Sequence, residues 1–444
     1  MPEPPPAKKP PDGPIGVREA GVRDEPNPAL RWLRILGPGI IVGASDDDPS
    51  GIGTYAVAGA SLGFSTLWTA LITLPMMVAV QFIAAKIGIV SGLGLTSLLR
   101  RHYPRWLAVS LAFALVAANT VNAGADIGAI AAAINLLLPH VPIAALVIPV
   151  GVTLLLLLIV GSYRLIARTF KWLALALLAY VAAAFFAHPD WLAVLRGTFV
   201  PTIRFDASHL TTLVAILGTT ISPYMIIWQA RQEVEEDIAF GRRFLWQRRG
   251  TTPTELRYAA ADVAVGMLLS NIVMYFIILT TAATLHASGN RHIETAADAA
   301  KALVPLAGRG AEALLAMGMI GAGALAVPIL TGSAAYALAG AFNLKAGLAE
   351  QPSRAPQFYA AIAASTLVGM EINFVGIGAV AALFWSAVIN GVLAPVLLAV
   401  MMLVANNHKI MGSDRNGPLL NLAGWATTGA MALAAAGLFV FWGK

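Results

Sequence analysis

From residue 35 onward the chain is a succession of long apolar runs, each ended by a cluster of charge, proline or glycine. An α-helix needs about 20 apolar residues to cross a bilayer. Eleven stretches approach or exceed that length: 35–62, 67–90, 106–138, 144–160, 169–187, 210–236, 258–285, 313–342, 358–374, 379–404 and 419–441. The pattern predicts an all-α membrane protein of about 11 transmembrane helices in one domain, 31–444. Residues 1–30 are rich in Pro and charge and read as a disordered cytoplasmic tail. They lack the apolar core of a signal peptide, which leaves the first span as an uncleaved signal.

Two of these spans are interrupted. Asp46-Asp47-Asp48-Pro49-Ser50-Gly51 breaks the first, and Ser222-Pro223-Tyr224-Met225 breaks the sixth. In hydrocarbon every backbone N–H and C=O needs a partner, so unwound backbone at membrane depth survives only where it lines a cavity or binds something. The breaks fall in the first helix of two five-helix sets, 35–187 and 210–404, with 419–441 as an extra helix. Two sets with an odd number of spans that share a fold must be inverted, and inverted repeats with broken helices at the midplane are a transporter plan.

Composition and charge agree with this reading. The chain is 58% hydrophobic and 12% charged, against about 25% charged in soluble domains. Lys and Arg collect in cytoplasmic loops, and 22 of the 29 fall on one side of an eleven-span topology. That places the N-terminus in the cytoplasm and the C-terminus outside. Topology accounts for the net charge of +6, so no nucleic-acid partner is needed. No obligate protein partner is evident either. The absence of cysteine excludes thiolate metal sites and Fe–S clusters. No nucleophile and base pair, HExxH motif or phosphate loop points to an enzyme or a cofactor.

Asp48 is the leading site residue. A carboxylate at the bilayer centre costs about 3 kcal/mol on insertion scales, and no Lys or Arg lies in the same segment, so a bound cation is its natural counter-charge. Pro49 lacks an N–H and keeps Asp48 out of the α region. Pro223 cannot donate to the carbonyl of Thr219 and crowds it, which offers a second set of oxygen ligands. A simple kink is the structural alternative at each break.

The runs Gly37-Pro38-Gly39, Asp48-Pro49-Ser50-Gly51 and Ala58-Gly59-Ala60, with Gly218-Thr219-Thr220-Ile221-Ser222-Pro223-Tyr224-Met225, resemble the first and sixth helices of the NRAMP divalent metal transporters. The resemblance implies a LeuT-type fold with the metal held between the two breaks. Carried over by position, it implies a site at Asp48, Gly51, Thr219 and Ser222. The family's Asn ligand is Gly51 here and its Met ligand is Ser222, so an amide and a soft sulfur are both missing. Thioethers suit softer transition metals, whereas Mg2+ takes oxygen and keeps its water. The pattern is similar to the prokaryotic NRAMP-related magnesium transporters.

The expected function is a facilitator for Mg2+, and also Mn2+, by alternating access without a coupled proton. The divalent ion is the transported substrate. The membrane potential supplies about 4.6 kcal/mol per 100 mV for two charges. The alternatives are a proton-coupled Mn2+ or Fe2+ importer and an amino-acid symporter of the same fold, which the acids Asp46 to Asp48 disfavour. Proton coupling is in question because Tyr224 stands where the family carries histidine. In the third helix Asn119 and Ala129 occupy acidic family positions, and Asp126 alone remains, as a proton or cation site or a hydrogen-bonded interior carboxylate. Asp46, Asp47, Tyr224, Gln229, Asp126 and Asn390 are candidates for the transport pathway. Gln229, Asn390, Asp262 and Asn271 are also read as packing groups. Glu233, Glu235, Glu236 and Asp237 are read as a solvated helix face.

Overall fold

The computed structural model describes residues 37–160, 175–239 and 241–441. The tail 1–30 and the basic positions Arg164, Arg168, Lys171 and Lys444 lie outside the described residues. Within them every regular element is helical. The first span is two helices, α1 (Pro38–Asp46) and α2 (Pro49–Leu62). The next are α3 (Trp68–Ser91), α4 (Arg105–Leu137), α5 (Ile143–Val160) and α6 (Ala179–Phe186). The second set opens with another pair, α7 (Ala207–Thr220) and α8 (Pro223–Ala239). It continues with α9 (Pro253–Thr281), α10 (Ala311–Phe342), α11 (Pro356–Ile372) and α12 (Ala379–Asn406), and α13 (Pro418–Phe441) follows. Eight helical segments among the described residues are long and apolar enough to span a bilayer.

Both breaks fall where proline placed them. Pro49 and Pro223 each start a helix, the position at which a missing N–H costs nothing. Asp48, just before Pro49, is held in extended backbone at φ −66° and ψ 168°. It therefore serves as the N-cap of α2, accepting from the Gly51 N–H.

The two halves interlock through small residues and one capping carboxylate. A Cβ on Gly39 would lie 2.7 Å from the backbone nitrogen of Val263, so α1 and α9 meet backbone to backbone. Asp262 of α9 then accepts from the Gly37 and Gly39 N–H groups at 2.8 Å each. Its carboxylate closes the positive end of α1, where orphan donors need partners. α10 runs along α4 and α12 along α7, with α13 outside against α12. Leu71, Phe113, Ile148, Val396 and Leu433 are exposed, an apolar exterior suited to lipid.

Most basic side chains of the described residues gather at one end of the bundle, with the segments 94–104, 241–252, 343–355 and 407–417. There the reading of Glu233, Glu235, Glu236 and Asp237 as a solvated face needs correction. Glu233 is 4% and Asp237 7% exposed. Glu235 pairs with Arg231 and Asp237 with Arg242, both at 2.9 Å. These acids turn inward because the neighbouring basic segments cover them.

Candidate metal centre between two broken helices

The two breaks meet. Tyr224, in the first turn of α8, donates from its hydroxyl towards Ser45 O at 3.3 Å and Asp48 Oδ2 at 3.2 Å. Asp48 is 1% exposed and every side of its carboxylate is occupied. Oδ1 accepts from Ser50 Oγ and the Gly51 N–H, each at 2.7 Å. Oδ2 accepts the Tyr224 hydroxyl and Asn122 Nδ2, the latter at 3.2 Å from the middle of α4. The short bonds are local to the α2 cap, and the long ones come from two other helices. Oδ2 is thus the face on which a cation can displace donors.

Gly51 contributes space rather than a side-chain ligand. A Cβ there would sit 3.2 Å from both the Asp46 carbonyl oxygen and Thr219 Oγ1, and 3.3 Å from Tyr55 Cε2. Thr219 Oγ1 and the Tyr55 hydroxyl are buried beside each other, so two further oxygens border the gap. The Thr219 carbonyl behaves differently from the sequence expectation. Pro223 does withdraw its usual donor, but Ser222 Oγ turns back along its own helix and donates to Thr219 O at 2.7 Å and Gly218 O at 2.8 Å. Ser222 caps the break, and the oxygen presented beside Gly51 is the Thr219 hydroxyl.

Asp46 and Asp47 share one partner, the Ser270 hydroxyl of α9, which lies 3.3 Å from Asp47 Oδ1 and in close contact with Asp46 Oδ2. Asp126 of α4 is fully buried, its carboxylate facing the backbone of Ser50 at the first break. Among the described residues none of these four carboxylates forms an ion pair with Lys, Arg or His. No three His, Asp or Glu side chains among those residues converge as a ready-made metal site. A cation held here needs a mixed set of carboxylate, amide, hydroxyl and water oxygens.

Two expected pathway residues make no hydrogen bond to Asp48. Gln229, nearly two turns along α8, donates to Glu233 at 2.9 Å. Asn390 is buried on α12 with both amide atoms unpartnered, next to Gly391, which packs against Val214 of α7. Asn122, Ser270 and Tyr55 were missed. Asn122 had left a signal: Asn119, Asn122 and Asp126 recur at helical spacing, one polar stripe on an otherwise apolar helix.

Two discontinuous helices meeting at buried carboxylates inside an all-helical bundle define a secondary membrane transporter. The chain matches the family model described as "Natural resistance-associated macrophage protein-like" over residues 39–441, and it belongs to the Nramp family. It is 28% identical over 406 residues to the "Divalent metal cation transporter MntH" of Vibrio campbellii, covering 90% of each chain. The Verminephrobacter eiseniae protein of the same name is 26% identical over 400 residues, 87% of this chain and 84% of that one. Among solved structures, the Eremococcus coleocola manganese transporter in complex with an aromatic bis-isothiourea compound superposes with a TM-score of 0.72 at 19% identity, over 94% of this chain and 88% of that one. The nucleobase-cation-symport-1 family transporter Mhp1 follows at 0.53 and 13%, over 91% of each. These two likenesses concern the fold, which is the all-α, LeuT-type arrangement expected from the sequence.

Proposed function

We propose that this transporter carries divalent cations across a prokaryotic inner membrane, Mg2+ in preference and Mn2+ as well, with its basic end in the cytoplasm. Alternating access around Asp48 moves the ion, and the membrane potential drives it without a coupled proton. The observation that carries this reading is the donor set at Asp48: one carboxylate ringed by Ser50, Asn122 and Tyr224, with Thr219 and Tyr55 beside the adjoining Gly51, all oxygen or amide groups. Ser222 stands where a sulfur would draw softer ions. Oxygen donors favour hard cations that retain water. The relatives named for divalent metal transport support the cation class.

A second reading, proton-coupled Mn2+ import, is favoured by Asp126, a fully buried carboxylate that pairs with no Lys, Arg or His among the described residues. Uptake into proteoliposomes loaded with a pH dye separates the two. The first reading expects Mg2+ flux above Mn2+ flux, Cd2+ flux at least tenfold lower, and no lumenal acidification. Stoichiometric acidification with Mn2+ ahead of Mg2+ establishes the second instead.

A further inference from the structure

We propose that Asn122, on α4, is a ligand of the transported cation and restores from another helix the amide oxygen that the first broken helix lacks at Gly51. The inference rests on the metal-transport reading above and goes beyond it by assigning a ligand outside both breaks.

Three observations carry it. Asn122 is fully buried, with its side chain on the Oδ2 face of Asp48. Its amide nitrogen is already committed to that oxygen at 3.2 Å, since a carboxylate accepts from NH2 and repels C=O. Its Oδ1 has no hydrogen-bond partner, although buried side-chain oxygens are nearly always paired.

These facts make the amide a two-way group. In the empty site Nδ2 steadies the Asp48 carboxylate. A dication on Oδ2 repels the N–H donors, and a half-turn of the amide about χ2 brings Oδ1 to the ion without moving the backbone. The rotation gives up only the bond that the cation has already displaced. Tyr224 can change roles in the same way, because its hydroxyl proton has a second acceptor in Ser45 O at 3.3 Å. Its phenolic oxygen is then free to face the ion. Asp48 Oδ2, Asn122 Oδ1, the Tyr224 hydroxyl and Thr219 Oγ1 together supply the oxygens of a partly hydrated divalent ion.

The test compares wild type, Asn122→Ala and Asn122→Met in proteoliposomes, measuring concentration-dependent uptake of Mg2+, Mn2+ and Cd2+. Loss of a ligand should raise KM for Mg2+ and Mn2+ at least tenfold in Asn122→Ala. A thioether at that position should lower the Mg2+ to Cd2+ uptake ratio at least tenfold in Asn122→Met relative to Asn122→Ala. A residue that merely positions Asp48 would slow all three ions by one factor, so unchanged ion ratios in both variants would overturn the assignment. So would a KM within twofold of wild type for Asn122→Ala. If neither variant folds, Asn122→Asp decides: it keeps shape and oxygen while adding charge. Mg2+ should then raise its melting temperature at least tenfold lower in concentration than for wild type; an equal or weaker response refutes the proposal. Wild-type protein that moves no divalent ion would sink the transport reading together with this one, whereas normal wild-type flux with an indifferent Asn122 removes only this inference.

Discussion

At the scale of single residues, the proposed function gives Asp48 two jobs that a substitution can separate. As N-cap it organises the start of α2 through the Gly51 N–H and Ser50, and as a charge it attracts the cation. Asn is as good an N-cap as Asp, and removing a charge from the bilayer centre relieves about 3 kcal/mol of insertion cost. Asp48→Asn is therefore expected to melt, without metal, at or above the wild-type temperature while divalent uptake falls at least a hundredfold. Thermal denaturation and flux on the same preparation check both halves, and retained uptake would remove the site. Asp48 was legible because three acids before a proline, inside an apolar run, have no soluble explanation. Asn122 and Ser270 were not, since their contacts join residues 74 and 224 positions away in the chain. A stripe at helical spacing shows that a polar face exists, but only packing decides which carboxylate it meets. Ser222 differs: it was read as an oxygen group, and its hydroxyl proton goes to the carbonyls of its own broken helix, which commits the donor and leaves the oxygen lone pairs.

At the scale of elements, proline marked where the broken helices restart, because a residue without an N–H fits the first turn and little else inside a helix. What the chain pattern left out was how the short α1, only nine residues long, is held. Nine residues have little helical stability of their own, and α1 has no side-chain cap of its own at Gly37. The cap comes from Asp262, more than 220 positions downstream. Sequence reasoning saw Asp262 as a packing group, which is the right class, but a cap supplied by another helix leaves no local motif. Replacing an N-cap with Ala costs about 0.5–2 kcal/mol, and here two donors lose their acceptor together. Asp262→Ala should sit at the upper end of that range and lower the melting temperature by several degrees, with Asp262→Asn intermediate because it keeps one acceptor. An Ala variant that melts with wild type would mean α1 is held by its glycine contacts with α9 alone.

At the scale of the whole molecule, the two ends of the bundle are unequal. At the end away from the basic segments, α2, α7 and α12 border a cavity of about 490 Å3 lined by Ser61, Thr211, His292 and Trp385 among others. At the basic end a smaller cleft of about 70 Å3 lies between Thr96, Arg231, Tyr336 and Ala339. Arg231 does the closing there. Its guanidinium bonds Glu235 and the Ala346 carbonyl at 2.9 Å each and lies 5.1 Å over the Tyr336 ring. The Leu348 N–H donates to the Tyr336 hydroxyl at 3.1 Å. One side chain thus ties α8 to α10 and to the segment between α10 and α11, and α8 is the half-helix that carries Tyr224 at its other end. Alternating access requires this end to open while the other closes, so the tie must break in each cycle. Removing Arg231 leaves Glu235 with the Tyr336 hydroxyl but without its ion-pair partner in a half-buried setting, which destabilises this arrangement. The chain has no cysteine, which makes a single introduced thiol a clean reporter. With Ala339→Cys as background, Arg231→Ala should raise the rate of maleimide labelling from the basic side at least fivefold, because the population shifts toward the state open at that end. Labelling at an unchanged rate would locate the seal deeper in the bundle, at the contacts of α8 with Asp48 itself.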